Sequence, residues 1–254
     1  MVEKGKVHFR IFRFDPDNDT KYHYDEYDVE TLPGEVVLSA LLDIQKKVDP
    51  TLSFRYSCRM AVCGSCGMVI NGQQRLACKT QLSSLNGPEV VVEPLSSMPV
   101  VKDLVVDMGR FFANMKKIQP YLIRYSDDPG KEVLQSPDEW RRIDRLVDCI
   151  SCGVCTTACP VFWTNHSYLG PAALVKAYRF LSDSRDEGYN EHMEHVALEN
   201  GALTCKDAYQ CTVSCPKSIN PQEAIEGLRA MMLRKRTWEK IHHQTEEQAV
   251  TTTS

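Results

Sequence analysis

Three features of the sequence predict an α+β chain. Strand-type alternation dominates up to about residue 105, helix-type spacing dominates after it, and eleven cysteines crowd into short intervals between Cys58 and Cys215. The expected architecture is a β-grasp domain over residues 1–105, followed by an all-α domain over residues 106–254. A chain of 254 residues, 43% hydrophobic and 25% charged, has the composition of a folded protein and the length for two modest domains.

In the first part Val7, Phe9 and Ile11 alternate with polar residues, and Tyr22 to Val29 makes a second strand. Pro33-Gly34 marks a turn. From Val36 to Ile44 the spacing becomes helical, with Val37, Leu41 and Ile44 on one face. Gly67 to Ile70 and Gln74 to Ala77 flank Asn71-Gly72, a pair suited to the left-handed conformations of a two-residue hairpin turn. Glu89 to Glu93 gives a last strand, stopped by Pro94. Strands wrapped around one helix are what a β-grasp sheet requires.

In the second part Leu104, Met108, Phe111, Phe112 and Met115 predict a helix ended by Pro120. Ser136-Pro137-Asp138-Glu139 opens another: Ser as N-cap, Pro in the first turn, Glu three residues after the cap. Asn220-Pro221-Gln222-Glu223 repeats that grammar. Pro171 starts a helix reaching Ser182, and Asn190 to Gly201 makes a further one. The final TTTS reads as frayed.

A formal net charge of −4 argues against a nucleic-acid binder, which needs a basic face. No apolar run approaches the roughly 20 residues that span a bilayer. The opening MVEKGKVHFR has neither the apolar centre of a signal peptide nor an Arg/Ser-rich presequence. The expectation is a soluble chain of the cytoplasmic compartment, any membrane role needing a partner. Eleven cysteines in such a compartment suit a disulfide framework poorly, because the number is odd and the setting reducing. Ligation of metal is the alternative.

Cys58, Cys63, Cys66 and Cys78 follow C-x4-C-x2-C with a fourth cysteine downstream, the plant-type [2Fe–2S] pattern. Three thiolates on one short loop can wrap a compact cluster, and Gly64 and Gly67 let the backbone approach the sulfurs. A structural zinc site is the competing reading, although zinc more often uses two separated C-x2-C pairs. Arg55 and Arg59 beside the loop read as surface charges.

Cys149, Cys152, Cys155 and Cys159, then Pro160, match the bacterial run C-x2-C-x2-C-x3-C-P, whose fourth cysteine serves the other cluster in two-cluster proteins. Cys205, Cys211 and Cys215, then Pro216, repeat that run with Ala208 at the second cysteine position. Crossing the fourth ligands gives Cys149, Cys152, Cys155 and Cys215 for a [4Fe–4S] cluster. Cys159, Cys205 and Cys211 remain, with a methyl group at the open corner. Alanine cannot ligate iron, so a [3Fe–4S] cluster is expected, against a [4Fe–4S] cluster with water or another side chain as fourth ligand. All eleven cysteines are then used.

This arrangement resembles the iron–sulfur subunit of succinate dehydrogenase and fumarate reductase. The likeness spans nearly the whole chain. It is most specific at Arg55–Cys66, Cys149–Pro160, Gly170-Pro171-Ala172-Ala173, Ser182–Arg185 and Cys205–Pro221. Some members carry Asp at the position of Cys66. The resemblance implies a flavoprotein partner whose FAD oxidises succinate, and single electrons passing through the three clusters to membrane quinone. A transmembrane anchor, with or without haem b, would hold that quinone, and this chain would hold no succinate. The same relay serves fumarate reduction. The resemblance places quinone near Pro160, Trp163 and Lys206, with the indole N–H of Trp163 as donor. Val161 and Thr164 depart from residues common in relatives, as does Lys206.

None of the histidines (His8, His23, His166, His192, His195, His242 and His243) interleaves with a cysteine pair, so all are assigned structural or surface roles. The mixed-charge run LRKRTWEK reads as a solvated helix face.

Overall fold

The computed structural model describes residues 5–87 and 89–234. Residues 235–240 of the mixed-charge run, His242, His243 and the final TTTS lie outside them.

Strands β1 (Gly5–Arg13) and β2 (His23–Thr31) form an antiparallel pair, with Phe9 opposite Tyr27 and Val7 opposite Val29. Their inward residues meet helix α1 (Val37–Lys47), which buries Val37, Leu38, Leu41 and Ile44. Strands β3 (Gly67–Ile70) and β4 (Gln73–Leu76) form the hairpin over Asn71-Gly72. Both turn residues have positive φ, 47° and 74°, and Asn71 Oδ1 accepts the Val91 amide at 2.7 Å. Strand β5 (Glu89–Glu93) lies parallel to β1 and antiparallel to β3. The sheet order is β2-β1-β5-β3-β4, a β-grasp with α1 across one face.

One expectation is corrected at the junction. Residues around Leu104 form no helix. They make a small hairpin of β6 (Val100–Lys102) and β7 (Val105–Val106), and α2 (Gly109–Lys117) starts only afterwards. Leu104 and Val106 bury into the core of the sheet domain, and the Asp107 carboxylate accepts the Gly109 amide at 2.7 Å. Burial against the sheet outweighs the helical spacing that Leu104 shares with Met108.

The remainder is helical: α3 (Pro137–Arg141), α4 (Asp144–Val147), α5 (Val154–Thr157), α6 (Pro160–Thr164), α7 (Pro171–Leu181), α8 (Tyr189–Val196), α9 (Gln210–Ser214) and α10 (221–234). The capping box at α3 forms as expected, Ser136 and Glu139 each bonding the other's amide. Asn220 caps α10 by accepting the Glu223 amide at 3.2 Å. Helix α8 stops short of the expected Gly201. The Ser182–Arg185 stretch makes a buried ionic knot. Asp183, its carboxylate fully shielded, accepts Arg185 Nε at 2.9 Å and Nη2 at 2.8 Å, Arg179 Nη2 at 3.0 Å and Gln135 Nε2 at 3.0 Å. Burial alone would raise that carboxyl, but the bonds from Arg185 and the charge of Arg179 hold it below its ordinary value.

Candidate metal centres

The first cysteine loop enters β3 through Cys66, and the β3–β4 hairpin returns Cys78 beside it, with the Ala77 amide on the Cys66 carbonyl at 3.0 Å. Arg59 and Ala61 take positive φ, 60° and 56°, which turns successive amides inward as a small anion nest. Met60, Val62 and Cys63 direct their N–H groups at Cys58 Sγ, at 3.4, 3.3 and 3.2 Å. Ala61 donates to Cys78 Sγ at 3.3 Å, and Cys58 to Cys63 Sγ at 3.4 Å. Hydrogen bonds from Ser65 and the neighbouring amides hold the Cys63 thiol down to about 6, while burial pushes Cys66 up to about 12. The loop's rim is exposed: Cys63 itself, Met60 and Val62. Arg59 stacks 5.5 Å from the Tyr56 ring, and Arg55 donates to the Val106 carbonyl at 2.8 Å.

Cys149, Cys152, Cys155 and Cys215 line one pocket together with Ala172, Val175, Ile219 and Pro221. Burial pushes Cys152 up to about 12, offset in part by the Val154 amide and reinforced by Cys149 and Cys215. Cys155 is raised further by burial and by Cys152, Cys149, Cys215 and Cys211. Single buried thiols resist ionisation, so metal must displace their protons. Among the described residues no three of His, Cys, Asp or Glu close around a single metal ion. Four thiols converging on one pocket at bacterial-ferredoxin spacing suit a cluster better than one zinc.

Cys159, Cys205 and Cys211 are all buried and gather separately, Cys211 feeling Cys159 and Cys205. Cys159 caps α6, whose Val161 and Phe162 amides partly offset the burial that raises its thiol. Ala208 is exposed between Asp207 and Tyr209, which have positive φ, 52° and 57°. Cys205 Sγ lies 3.7 Å from both Asp207 Oδ1 and Gln222 Oε1.

The groups are in register with one another. A Cβ on Gly64 would meet Cys152 Cβ at 2.8 Å and Cys152 Cα at 2.9 Å, so the first and second loops touch through backbone. Lys79, next to Cys78, donates to the carbonyl of Pro216, next to Cys215. Sequence reading gave Gly64 a role toward its own cluster. Its contact with the second loop joins positions 88 residues apart and leaves no local signal.

Pro160, Trp163 and Lys206 are exposed at the three-cysteine end. Trp163 is 46% exposed, yet its indole N–H is donated to the Thr157 carbonyl. The donor that the sequence reading offered to quinone is therefore engaged within the protein. Leu203, Tyr209 and Val213, the last 81% exposed, flank the same cysteines. His192 is fully buried, bonded to the Ile118 carbonyl and Asp186 at 3.0 Å each, a structural role as expected. Tyr168, which carried no motif, turns out to sit against Cys159, Cys205 and Cys211.

Comparison with known proteins accords with this geometry. Residues 8–113 match the 2Fe-2S iron-sulfur cluster binding domain family, and residues 145–219 the 4Fe-4S dicluster domain family. The chain is 43% identical over 227 residues to the succinate dehydrogenase iron-sulfur subunit of Paracoccus denitrificans, covering 89% of this chain and 87% of that one. It is 41% identical to the Coxiella burnetii subunit, covering 89% and 97% respectively. A chain of the Mycobacterium smegmatis Sdh1 complex in the apo form superposes with a TM-score of 0.84 at 26% identity, covering 92% of this chain and 98% of that one. On its sequence and its fold together, the chain belongs to the succinate dehydrogenase iron–sulfur subunit family.

Proposed function

We propose that this chain relays single electrons within a succinate:quinone oxidoreductase, from an FAD-containing flavoprotein subunit at the Cys58–Cys66 loop to a quinone held with a transmembrane anchor at the Cys159 end. The observation that carries this reading is the partition of all eleven cysteines into three groups, the middle one adjoining both others. Cys58, Cys63, Cys66 and Cys78 hold a [2Fe–2S] cluster; Cys149, Cys152, Cys155 and Cys215 a [4Fe–4S] cluster; Cys159, Cys205 and Cys211 a [3Fe–4S] cluster. When bound, these groups supply the one-electron chemistry that joins a two-electron flavin to a two-electron quinone.

The chain's own residues set position and charge. Amides of the first loop donate to the sulfurs of Cys58 and Cys78, and its exposed rim of Met60 and Val62 offers an apolar contact to the flavoprotein. Apolar residues around the second cavity exclude water from its sulfurs. At the far end Pro160, Trp163 and Lys206 face the quinone, with Leu203, Tyr209 and Val213 extending an apolar surface toward the anchor. Trp163 takes part through its exposed ring, its N–H remaining on Thr157. Among the described residues no helix is long and apolar enough to cross a membrane, so attachment runs through the anchor. The cytoplasmic face of a bacterial inner membrane is the corresponding location, and the two domains divide near residue 105.

Ala208→Cys tests the ligand assignment. A thiol at that corner converts the three-iron centre to four irons, so the oxidised three-iron EPR signal disappears and iron per chain rises. An unchanged three-iron signal in the variant would overturn the assignment.

A further inference from the structure

Tyr168 lies in the link between α6 and α7 and is among the largest fully buried side chains of the molecule. Its carbonyl accepts Asn114 Nδ2 at 3.0 Å, which fixes the backbone, and its side chain belongs to the buried cluster that includes Cys159, Phe162, Leu169 and Cys205. Its hydroxyl is buried and has no hydrogen-bond partner in the described structure. Leaving such a group unpaired carries its full desolvation penalty, and buried tyrosines ordinarily find an acceptor. Phenylalanine would fill the same space without that penalty, so the hydroxyl needs an explanation of its own. After burial, the groups that bear on it are Cys205 first, then Cys159 and Cys211.

The existing contacts of Cys205 do not serve a ligating sulfur. Asp207 Oδ1 and Gln222 Oε1 are acceptors for its thiol proton. Once metal displaces that proton, neither oxygen stabilises the thiolate. The Gln222 amide nitrogen is held elsewhere, on Asp207 at 2.5 Å and Glu226 at 3.3 Å. A phenol facing the same group supplies the missing donor.

We propose that Tyr168 donates its O–H to sulfur at the cluster held by Cys159, Cys205 and Cys211, raising that cluster's reduction potential and fixing its seat. The proposal rests on the three-iron assignment made above. A donor to sulfur stabilises the reduced, more negative state more than the oxidised one, and in a dry site little solvent screens the difference. Tyr168 is thus a tuning residue for the last step toward quinone. The two other clusters, held by other cysteines, should not sense it.

The test is a potentiometric EPR titration of the intact complex, comparing Tyr168→Phe with the parent and with protein carrying 3-fluorotyrosine at position 168. A three-iron signal in the oxidised parent establishes the assignment independently of the variants. Phenylalanine should move the three-iron midpoint to lower potential, so that at the parent midpoint the reduced-to-oxidised ratio falls roughly threefold to tenfold, the range of a modest hydrogen-bond difference. The fluorophenol is a stronger donor and should move the midpoint the other way. The [2Fe–2S] and [4Fe–4S] midpoints should stay fixed. Unchanged three-iron midpoints in both altered proteins, or shifts of the same sign, would overturn the proposal. If Tyr168→Phe fails to retain the cluster, the fluorotyrosine protein alone decides: a positive shift supports the donor and no shift refutes it.

Discussion

The first and third cysteine groups hold the same kind of ligand in opposite surroundings. The Cys58–Cys66 loop is exposed at its rim and lined with amides, and Cys63 is held down by hydrogen bonds from Ser65 and nearby N–H groups. Cys159, Cys205 and Cys211 are all buried, and burial pushes Cys159 and Cys211 up. At the first end Ser65 and backbone hold the outer Cys63 down, and burial pushes up the inner Cys66. At the other, charge on sulfur is penalised by burial and relieved by few donors. A relay needs both: an entry that a partner can approach, and an exit whose potential is set inside the protein. Both ends carry backbone strain, with non-glycine residues at positive φ: Arg59 and Ala61 at the first, Asp207 and Tyr209 at the third.

The largest way to break this comparison acts where the first loop meets the second. Gly64→Ala adds a Cβ 2.8 Å from Cys152 Cβ and 3.1 Å from the Ile150 carbonyl, at a residue with φ of 75°. Backbone cannot yield as a side-chain tip can. The strain and overpacking should cost about 2–4 kcal/mol, and electron transfer between the first two clusters should slow. Denaturant unfolding and the magnetic coupling between the two reduced clusters measure the two effects separately. The three-iron signal, far from the contact, should persist.

A change at neither end sharpens the contrast. Asp183→Asn removes the buried carboxylate that Arg179 and Arg185 share, which should cost about 3 kcal/mol at neutral pH. Because the folded carboxyl sits below its unfolded value, near 4, its contribution is present above that value and fades as pH falls through the folded one. The stability gap between parent and variant should therefore narrow on acidification below about pH 4, while all cluster signals keep their shapes. A gap that widened with acid would contradict the ion-pair account.

Trp163→Phe should have the smallest effect. It leaves the buried Thr157 carbonyl with only the longer bond from Gln74 Nε2 at 3.4 Å, for about 1 kcal/mol. Quinone KM should rise by less than about threefold, since the ring remains as surface and the N–H is already committed. A tenfold rise, equivalent to about 1.4 kcal/mol, would show that the N–H leaves Thr157 to serve quinone.

Much of this organisation was legible because it is local. The Asn71-Gly72 turn, the Ser136–Glu139 capping box and the cap at Asn220 each depend on residues within a few positions of one another, and all formed as read. The cysteine runs belong to the same class. What escaped depends on long-range burial. Leu104 carried helical spacing, yet the sheet core draws it into a hairpin. The Trp163 N–H reads as available until the fold brings the Thr157 carbonyl beneath it. Tyr168 is one tyrosine of ten in the sequence, and only packing places it in the buried cluster that holds Cys159 and Cys205.

The central claim, three clusters of three kinds, is most directly tested by low-temperature EPR of the anaerobically purified complex, oxidised and then reduced stepwise, with iron and zinc counted alongside. An oxidised three-iron centre has an odd electron count and gives a signal, whereas the other two kinds are silent until reduced. The account predicts a signal before reduction, a second species on mild reduction, and iron without zinc. Silence in both states, with zinc in place of iron, would contradict it and leave the eleven cysteines as a structural scaffold.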